Sequence, residues 1–266
     1  PPPPFSSRRR HTRCNRWSRG LGDVYKRQRE HNQDEMLVPS AAGALNGHMT
    51  LFAVADGMGG HPGGGIASRM ACDRLRDFDK RYIRNKGIQR PADIRRRLVE
   101  MVLRTDRAIR LQGLVDYDLE DMGTTLSCLI LTRTHSVIVH VGDSRIYRLR
   151  NGRLSCLTVD HTFVQDMIFE GEVDPEQAHL HPLRHMLTRA VGTGEPLEWV
   201  DSRIDGIKAG DCFVLCTDGL YNAMAERNIL DSLADRSEAA DTAAELVAKA
   251  LKHGVRDNIT AVVVKT

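Results

Sequence analysis

Aspartates stand at the ends of several strand-like apolar runs in this sequence. Asp56, Asp143 and Asp218 each follow such a run, and Asp257 stands just before the last one. Because a strand fixes the backbone direction and leaves the next side chain at the rim of a sheet, these four short carboxylates can converge on one spot. Converging carboxylates raise one another's pKa unless a cation lies among them, and an oxygen-only ligand set favours Mg²⁺ or Mn²⁺. A single Asp-Gly is equally typical of a turn, so the metal hypothesis depends on the whole set.

The neighbours of these aspartates form a recognisable series of motifs. In chain order they are Arg29-x-x-Asn32-Gln33-Asp34, Asp56-Gly57-Met58-Gly59-Gly60-His61, Met122-Gly123-Thr124-Thr125, Val141-Gly142-Asp143-Ser144-Arg145, Thr217-Asp218-Gly219-Leu220 and Asp257-Asn258-Ile259-Thr260. With these motifs in this order, the sequence resembles the metal-dependent protein phosphatases of type 2C, the PPM family, in their bacterial form. The resemblance covers Arg29 to Thr266.

The resemblance implies a set of metal ligands at one end of a sandwich of two sheets. Asp56 would bridge two Mn²⁺ or Mg²⁺ ions, the Gly57 carbonyl, Asp218 and Asp257 would be further ligands, Asp34 would act through bound water, and Asp143 would serve a weaker third site. The implied activity is hydrolysis of phosphoserine and phosphothreonine in proteins by a metal-activated water. The catalytic residues would then be Arg29, Asp34 and Asp56.

Arg29 is the candidate phosphate-binding residue, because a planar guanidinium can bind two phosphate oxygens at once. The source of the proton for the leaving oxygen is left open. Eukaryotic relatives carry a His two residues after the bridging aspartate, where this chain has Met58. We interpret His61 and His161 as structural or rim residues, since metal-bound water can act as the acid instead.

The expected partners are phosphorylated proteins, substrates of a bacterial Ser/Thr kinase, and we expect a monomer that binds neither nucleic acid nor membrane. Within the enzyme class, a phosphatase dedicated to one small regulatory protein is a second interpretation. The alternative of another class is a catalytically weak or silent family member that acts as a regulatory phosphoprotein-binding module. Retention of Asp56, Asp218 and Asp257 favours the enzyme.

The elements that would position these residues follow from hydrophobic periodicity. The predicted strands are Leu51–Ala55, Thr124–Leu131, Val137–Val141, Ile146–Arg150, Arg153–Thr158, His185–Ala190, Cys212–Thr217 and Ile259–Lys265; the predicted helices are Ile66–Tyr82, Ala92–Leu111, Thr162–Glu170, Glu226–Ala234 and Glu238–His253. Asn151-Gly152 indicates a type I′ hairpin, since both positions tolerate positive φ. Between His161 and His185 we expect a flap, with a short helix from Pro175. The pattern predicts an α+β fold, and by the resemblance a four-layer α-β-β-α sandwich of two antiparallel sheets, with residues 29–266 as one phosphatase domain.

The first 28 residues differ from the rest of the chain. They hold eight Lys and Arg against one acid, and without them the chain carries 30 basic and 34 acidic residues, so it has no general attraction for nucleic acid. Residues 1–28 lack apolar periodicity and resemble a translated sequencing adaptor, so we expect a disordered, non-native leader and a phosphatase domain without its usual first strand. A basic nucleic-acid-binding arm is the alternative interpretation. No long apolar run and no secretory h-region are present, which favours a cytoplasmic location, and the six cysteines show neither a disulfide nor a zinc pattern.

Overall fold

Two antiparallel sheets carry most of the apolar strands that the sequence predicts. The computed structural model describes residues 19–25, 32–39, 49–59, 63–85, 90–235, 237–254 and 257–266, and within 19–25 it describes only the backbone. The strands are β1 (Arg19–Tyr25), β2 (Asp34–Leu37), β3 (Met49–Met58), β4 (Gly123–Thr124), β5 (Leu126–Thr132), β6 (His135–Val141), β7 (Arg145–Arg150), β8 (Arg153–Cys156), β9 (Asp201–Gly206), β10 (Cys212–Cys216) and β11 (Ile259–Lys265). One sheet has the order β1-β11-β10-β7-β8, and the other has the order β2-β3-β5-β6-β9, with β4 paired to β3.

Helices cover the outer faces of both sheets. They are α1 (Gly63–Phe78), which continues as a π-helical segment (Asp79–Arg84), α2 (Pro91–Val115), α3 (Phe163–Glu170), α4 (Asp218–Tyr221), α5 (Glu226–Ala234) and α6 (Ala239–Lys252); Tyr117–Leu119 and Ala178–Leu180 are 3₁₀ turns. Helix α2 begins at Pro91, whose fixed φ suits the first helical position. None of the helices within the described ranges combines the length and the hydropathy needed to cross a membrane.

Three apolar cores separate the four layers. The inner core lies between the two sheets and includes Phe52, Leu129, Phe213 and Val262, all fully buried. A second core packs α1 and α2 against the β3-containing sheet, and a third packs α5 and α6 against the β10-containing sheet. The predicted four-layer α-β-β-α sandwich is therefore confirmed.

The hairpin at Asn151-Gly152 is also confirmed. Strands β7 and β8 pair with Arg150 opposite Arg153, which leaves a loop of two residues. Asn151 has a φ of 52° and Gly152 a φ of 74°, as a type I′ turn requires.

The predicted strand His185–Ala190 is wrong. Only an isolated bridge between Thr162 and Leu187 occurs there, and the segment belongs to the irregular region that follows α3. The edge of the β3 sheet beyond β6 is formed by β9. Three of the six residues at 185–190 are apolar, and this composition favoured a strand, but no neighbouring strand in the described part of the chain offers the segment a ladder of backbone hydrogen bonds. The helix expected from Pro175 is likewise reduced to the 3₁₀ turn Ala178–Leu180.

The leader contains a strand that we did not expect. Backbone residues Arg19–Tyr25 form β1 and pair with β11 over its whole length, from Arg19 opposite Lys265 to Tyr25 opposite Ile259. The expectation that residues 1–28 carry no strand, and that the sheet lacks its first strand, is therefore corrected for this segment. The physical reason is that β11 has one partner in β10 and a second edge whose N–H and C=O groups need pairing. Residues 1–18 and 26–28 lie outside the described residues, and the non-native origin of the leader stays a prediction.

Candidate active site

The predicted acidic residues lie at the ends of adjacent strands. Asp34 begins β2 and stands directly opposite Asp56 of β3 in the antiparallel register. Asp143 lies in the turn between β6 and β7, Asp218 follows β10 at the start of α4, and Asp257 stands two residues before β11. Asp34, Asp143, Asp218 and Asp257 all contribute electrostatically to the pKa of Asp56. The structure thus brings the other four carboxylates within electrostatic range of Asp56.

Asp34 is clamped by two threonines from the other sheet. Its Oδ2 accepts hydrogen bonds from the hydroxyls of Thr217, at 2.9 Å, and Thr260, at 2.6 Å. The backbone N–H of Thr260 in turn donates to the Thr217 hydroxyl at 3.1 Å, which ties β10 to β11 at this point. The other oxygen, Oδ1, is buried and receives no hydrogen bond from any donor in the described ranges. A buried carboxylate oxygen without a donor is costly unless a positive charge reaches it.

The backbone of Asp56 is fixed on both sides. Its N–H donates to the Thr125 hydroxyl at 3.0 Å, and its carbonyl accepts from the Thr125 N–H at 2.8 Å and from the Thr124 hydroxyl at 2.9 Å. The Thr125 hydroxyl also lies 2.7 Å from that of Ser144, the residue after Asp143. The strand end that carries Asp56 and the turn that carries Asp143 therefore hold each other in place.

Burial and mutual repulsion perturb these carboxyl groups. Burial raises the pKa of Asp34 to about 6, even though the threonine hydrogen bonds favour its ionised form. Burial also raises the pKa of Asp143 to about 6, and Asp160 adds to this effect. The pKa of Asp56 is well above its usual value, first because of burial and then because of the charges on Asp34 and Asp218. A buried group of carboxylates with raised pKa values is the electrostatic signature of a site that a cation would stabilise.

The side chains nevertheless do not form a ready-made metal cage. Among the residues that the structure describes, no three Asp, Glu, His or Cys side chains gather closely enough to hold an ion by themselves. The donor chemistry fits hard divalent ions, because the five candidate side chains present only oxygen.

Gly57 is required by a close approach of two backbones. A Cβ at this position would lie within 2.1 Å of the Gly64 carbonyl oxygen and 2.7 Å from that of Gln33. The first turn of α1 therefore packs directly against the strand end beside Asp56, and the Gly57 N–H donates to the Gln33 carbonyl at 3.1 Å. The hydroxyl of Ser68 donates to the same carbonyl at 2.6 Å, which fixes α1 to the segment before Asp34.

Arg145 joins three segments around Asp143. Its guanidinium binds both carboxylate oxygens of Asp160, with the shortest contact at 2.7 Å, and lies 3.8 Å from the ring centroid of Tyr221 in α4. The Tyr221 hydroxyl donates to the Asp143 carbonyl at 3.0 Å. Arg145 therefore positions the Asp143 turn relative to the helix that begins at Asp218. Sequence reasoning named Arg145 within a motif but gave it no role.

The histidines differ in their positions. His161 is buried, accepts a hydrogen bond from the Gly142 N–H at its Nδ1, and so carries its proton at Nε2, 3.1 Å from Asp201. This arrangement confirms that His161 is a structural residue. His185, from the flap, places its Nδ1 3.7 Å from Asp218 Oδ2 and is about half exposed. Arg29 and His61 lie outside the described residues.

Three further polar residues support the site and were missed as functional residues. Thr217 and Thr260 clamp Asp34, and the Asn258 side chain accepts from the Gln33 N–H at 3.0 Å, which holds β2 against the start of β11. All three stand inside the motifs that carry the aspartates, so the signal was their position next to a candidate ligand. Their partners are more than 180 residues away along the chain, and no local pattern shows such a pairing.

Comparisons with known proteins agree on one family. The family model described as protein phosphatase 2C matches residues 21–257. The serine/threonine protein phosphatase PstP of Mycobacterium tuberculosis is 38% identical over 213 residues, which are 80% of this chain and 40% of the relative. The chain thus spans about two fifths of the length of that relative. The serine/threonine phosphatase stp of Listeria welshimeri is 34% identical over 239 residues, 90% of this chain and 92% of the relative.

A solved structure shows the same fold with metal bound. It is the catalytic domain of the serine/threonine protein phosphatase PstP in complex with two manganese ions. The two chains share 32% sequence identity and superpose with a TM-score of 0.79, over 93% of this chain and 97% of the other. In that protein, two metal ions accompany a fold that this chain shares almost throughout.

Proposed function

The chain belongs to the protein phosphatase 2C family, and from this membership we propose that it is a metal-dependent serine/threonine protein phosphatase. The observation that carries the proposal is the convergence of five buried or half-buried aspartates from separate strand ends, with raised pKa values at Asp34, Asp56 and Asp143. The proposed substrates are phosphoserine and phosphothreonine in proteins modified by a bacterial Ser/Thr kinase. The monomeric state and the cytoplasmic location stay predictions.

In this proposal the metal ligands are those that the motifs indicate. Asp56 and the Gly57 carbonyl, with Asp218 and Asp257, would hold two Mn²⁺ or Mg²⁺ ions, and Asp143 would serve a weaker third site. When bound, two such ions would supply an activated water and would neutralise charge on the phosphate oxygens. The manganese complex of the PstP domain supports the use of two divalent ions.

The residues of the chain have distinct tasks in the proposed reaction. Hydrolysis forms a bond between the water oxygen and phosphorus and breaks the bond to the serine or threonine oxygen, which takes up a proton. Asp34, held by Thr217 and Thr260, would accept a hydrogen bond from water at its Oδ1. Arg29 would bind two phosphate oxygens, which orients the phosphorus for in-line attack. The identity of the proton donor is not part of the proposal.

The proposal is tested by phosphate release from a phosphothreonine peptide with Mn²⁺. We expect turnover that a chelator abolishes. Asp218→Asn should reduce this turnover by at least about a hundredfold, because the substitution removes one carboxylate ligand of the proposed metal site. Asp231→Asn is the matched control, because Asp231 is an exposed aspartate of α5. Absence of turnover in the folded protein, with retained binding of the phosphopeptide, would contradict the enzyme and favour the phosphoprotein-binding module.

A further inference from the structure

Four arginines line a groove on the outer helical layer, at a distance from the aspartates. It lies between α2 and the end of α1 with its π-helical extension, and it encloses about 280 Å³. Arg74 and Arg81 line one side, and Arg97 and Arg104 line the other. The members of each pair are seven residues apart, a spacing that places side chains on one face of a helix. Both helices therefore direct two arginines into the same groove.

The positive charge of this arginine groove is not neutralised. Within the described ranges none of the four arginines forms an ion pair, whereas their neighbours Arg76, Lys80, Arg84 and Arg96 all do. Two acids also line the groove, but each is within ion-pair distance of a basic residue outside the lining: Asp77 with Lys80 at 3.4 Å, and Glu100 with Arg96 at 3.6 Å. The groove therefore presents a net positive surface.

The floor of the arginine groove restricts its side chains. The guanidinium of Arg97 lies 5.1 Å from the ring centroid of Tyr82, within cation–π distance. Phe78 is buried and packs against Tyr82, with the ring centroids 5.1 Å apart and the ring planes tilted by 54°. An arginine held over an aromatic ring loses less freedom when it binds an anion than one that extends into solvent.

From this geometry we propose that the arginine groove binds an acidic segment of the substrate protein, separate from the phosphorylated residue that is hydrolysed. This inference rests on the proposed phosphatase function. A volume of about 280 Å³ is slightly below the range of small-molecule pockets, which starts at about 300 Å³, and suits a few side chains of one extended peptide. The concave shape between two helices fits a peptide better than a flat membrane surface.

The distance to the aspartates is compatible with one continuous substrate segment. Helix α1 begins at Gly63, next to Gly57, and Arg74 lies 11 residues later. At about 1.5 Å per residue, Arg74 lies roughly 16 Å along the helix and Arg81, seven residues further, lies roughly 27 Å along it. About five and about eight residues of extended peptide span these lengths. Acidic side chains about five to eight residues from the phosphorylated position can therefore reach the groove.

The test compares two charge-matched triple variants. In the first, Arg81, Arg97 and Arg104 are changed to Ala; in the control, Arg69, Arg95 and Arg107 of the same helices, exposed and outside the groove, are changed to Ala. The substrates are a phosphothreonine peptide with a flanking run of glutamates, the same peptide with glutamines, and p-nitrophenyl phosphate. Binding of the non-phosphorylated glutamate peptide is measured separately by fluorescence anisotropy in chelator.

We expect the groove variant to raise KM for the glutamate peptide about tenfold, as three exposed ionic contacts imply, and to leave kcat unchanged. Its kinetics with the glutamine peptide and with p-nitrophenyl phosphate should match those of the parent, and the KM difference should shrink at high salt. An equal KM, the same rise in the control variant, or an effect on all substrates alike would overturn the proposal. The proposal would also be overturned if the groove variant lost binding to anionic vesicles or to RNA while its binding of the glutamate peptide stayed intact.

The two proposals fail in different ways. If the parent protein does not hydrolyse p-nitrophenyl phosphate, the phosphatase function fails, while the anisotropy measurement still decides whether the groove binds the acidic peptide. If hydrolysis is normal and the peptide does not bind, only the groove proposal fails.

Discussion

Replacing Asp34 with asparagine should stabilise the metal-free protein, although Asp34 belongs to the proposed active site. Burial raises the pKa of Asp34 to about 6 from 3.8, and the side chain is only 5% exposed. In the variant, the amide oxygen can still accept hydrogen bonds from Thr217 and Thr260. The amide nitrogen takes the place of Oδ1, which lies near Asp56 and receives no hydrogen bond within the described part of the chain. The substitution thus removes a buried charge and keeps the clamp.

The expected size of this effect follows from the pKa change. The difference between 3.8 and about 6, at about 1.4 kcal/mol per pH unit, makes ionisation of Asp34 about 3 kcal/mol less favourable in the folded chain than in the unfolded chain. Because the folded state binds the proton more tightly, the stability contributed by Asp34 is fully present below pH 3.8 and is lost as the pH rises through about 6. At pH 7.5 the variant should recover about 2 to 3 kcal/mol, or about 5 to 10 °C in Tm.

The assay is thermal unfolding of both proteins in chelator at pH 7.5 and at pH 4. We expect the gain in Tm at pH 7.5 and a difference below about 1 kcal/mol at pH 4, where Asp34 is protonated in the folded parent. With Mn²⁺ the order should reverse, because an ion that binds the folded parent stabilises it by mass action and the variant binds it less tightly. Asp231→Asn, at an exposed helix position, is the control for a general effect of charge removal.

A Tm at pH 7.5 in chelator equal to or below that of the parent would refute the reasoning, and so would a gain that does not depend on pH. Either result would mean that the buried carboxylate is not strained in the absence of metal. Groups that do not interact with Asp34 titrate alike in both proteins and cancel in the comparison. The charge on Asp34 raises the pKa of Asp56, so its removal also relieves Asp56 and adds to the gain at pH 7.5.

Three other substitutions test the packing around the site. Gly57→Ala should lower the free energy of unfolding by about 1 to 3 kcal/mol in urea, because the new methyl group meets backbone rather than a movable side chain. Gly65→Ala is the control: its Cβ would have its nearest neighbour at 3.7 Å, so the free energy of unfolding should fall far less. Similar losses of unfolding free energy in the two variants would contradict this reasoning. Arg145→Ala should lower the unfolding free energy by about 3 kcal/mol because it leaves Asp160 without its bidentate partner, and a loss below about 1 kcal/mol in urea unfolding would show that the pair does not hold the turn. Burial lowers the pKa of His140 to about 3 from 6.5, so its contribution to stability is lost as the pH falls below 6.5, at up to about 1.4 kcal/mol per pH unit. His140→Gln should reduce the loss of unfolding free energy between pH 6.5 and pH 4.5, measured by urea unfolding at both values. An unchanged pH dependence would refute a buried, neutral His140.

The sequence predicted those elements whose signal is local. Strands such as Cys212–Cys216 and Ile259–Lys265 are mostly apolar, and their limits were predicted within one residue. The aspartates at their ends could be found because a strand end and a motif coincide. The order of strands within each sheet was not predicted, since it depends on pairings between distant segments that leave no periodic trace.

The segments that the sequence analysis missed have weak or contrary local signals. Strand β2 has only four residues and begins with two acids. It forms nevertheless, because Asp34 pairs with Asp56 of β3 and accepts a hydrogen bond from Thr260 of the other sheet. Strand β9, with the sequence DSRIDG, is mostly polar because it lies at a sheet edge. The segment 185–190 shows the reverse case, in which a partly apolar composition predicted a strand that does not form.

The clamp on Asp34 has a consequence for the order of folding. Asp34 bonds to residues that lie 183 and 226 positions later in the chain, at the ends of two neighbouring strands. Contacts of such sequence separation form slowly, because a long loop must close before they return any stabilisation. During synthesis, a ribosome-bound chain that has not yet released β11 cannot complete the clamp. The proposed hydrolytic activity should therefore appear only after β11 has joined the sheet, and a chain that ends before β11 should show no such activity.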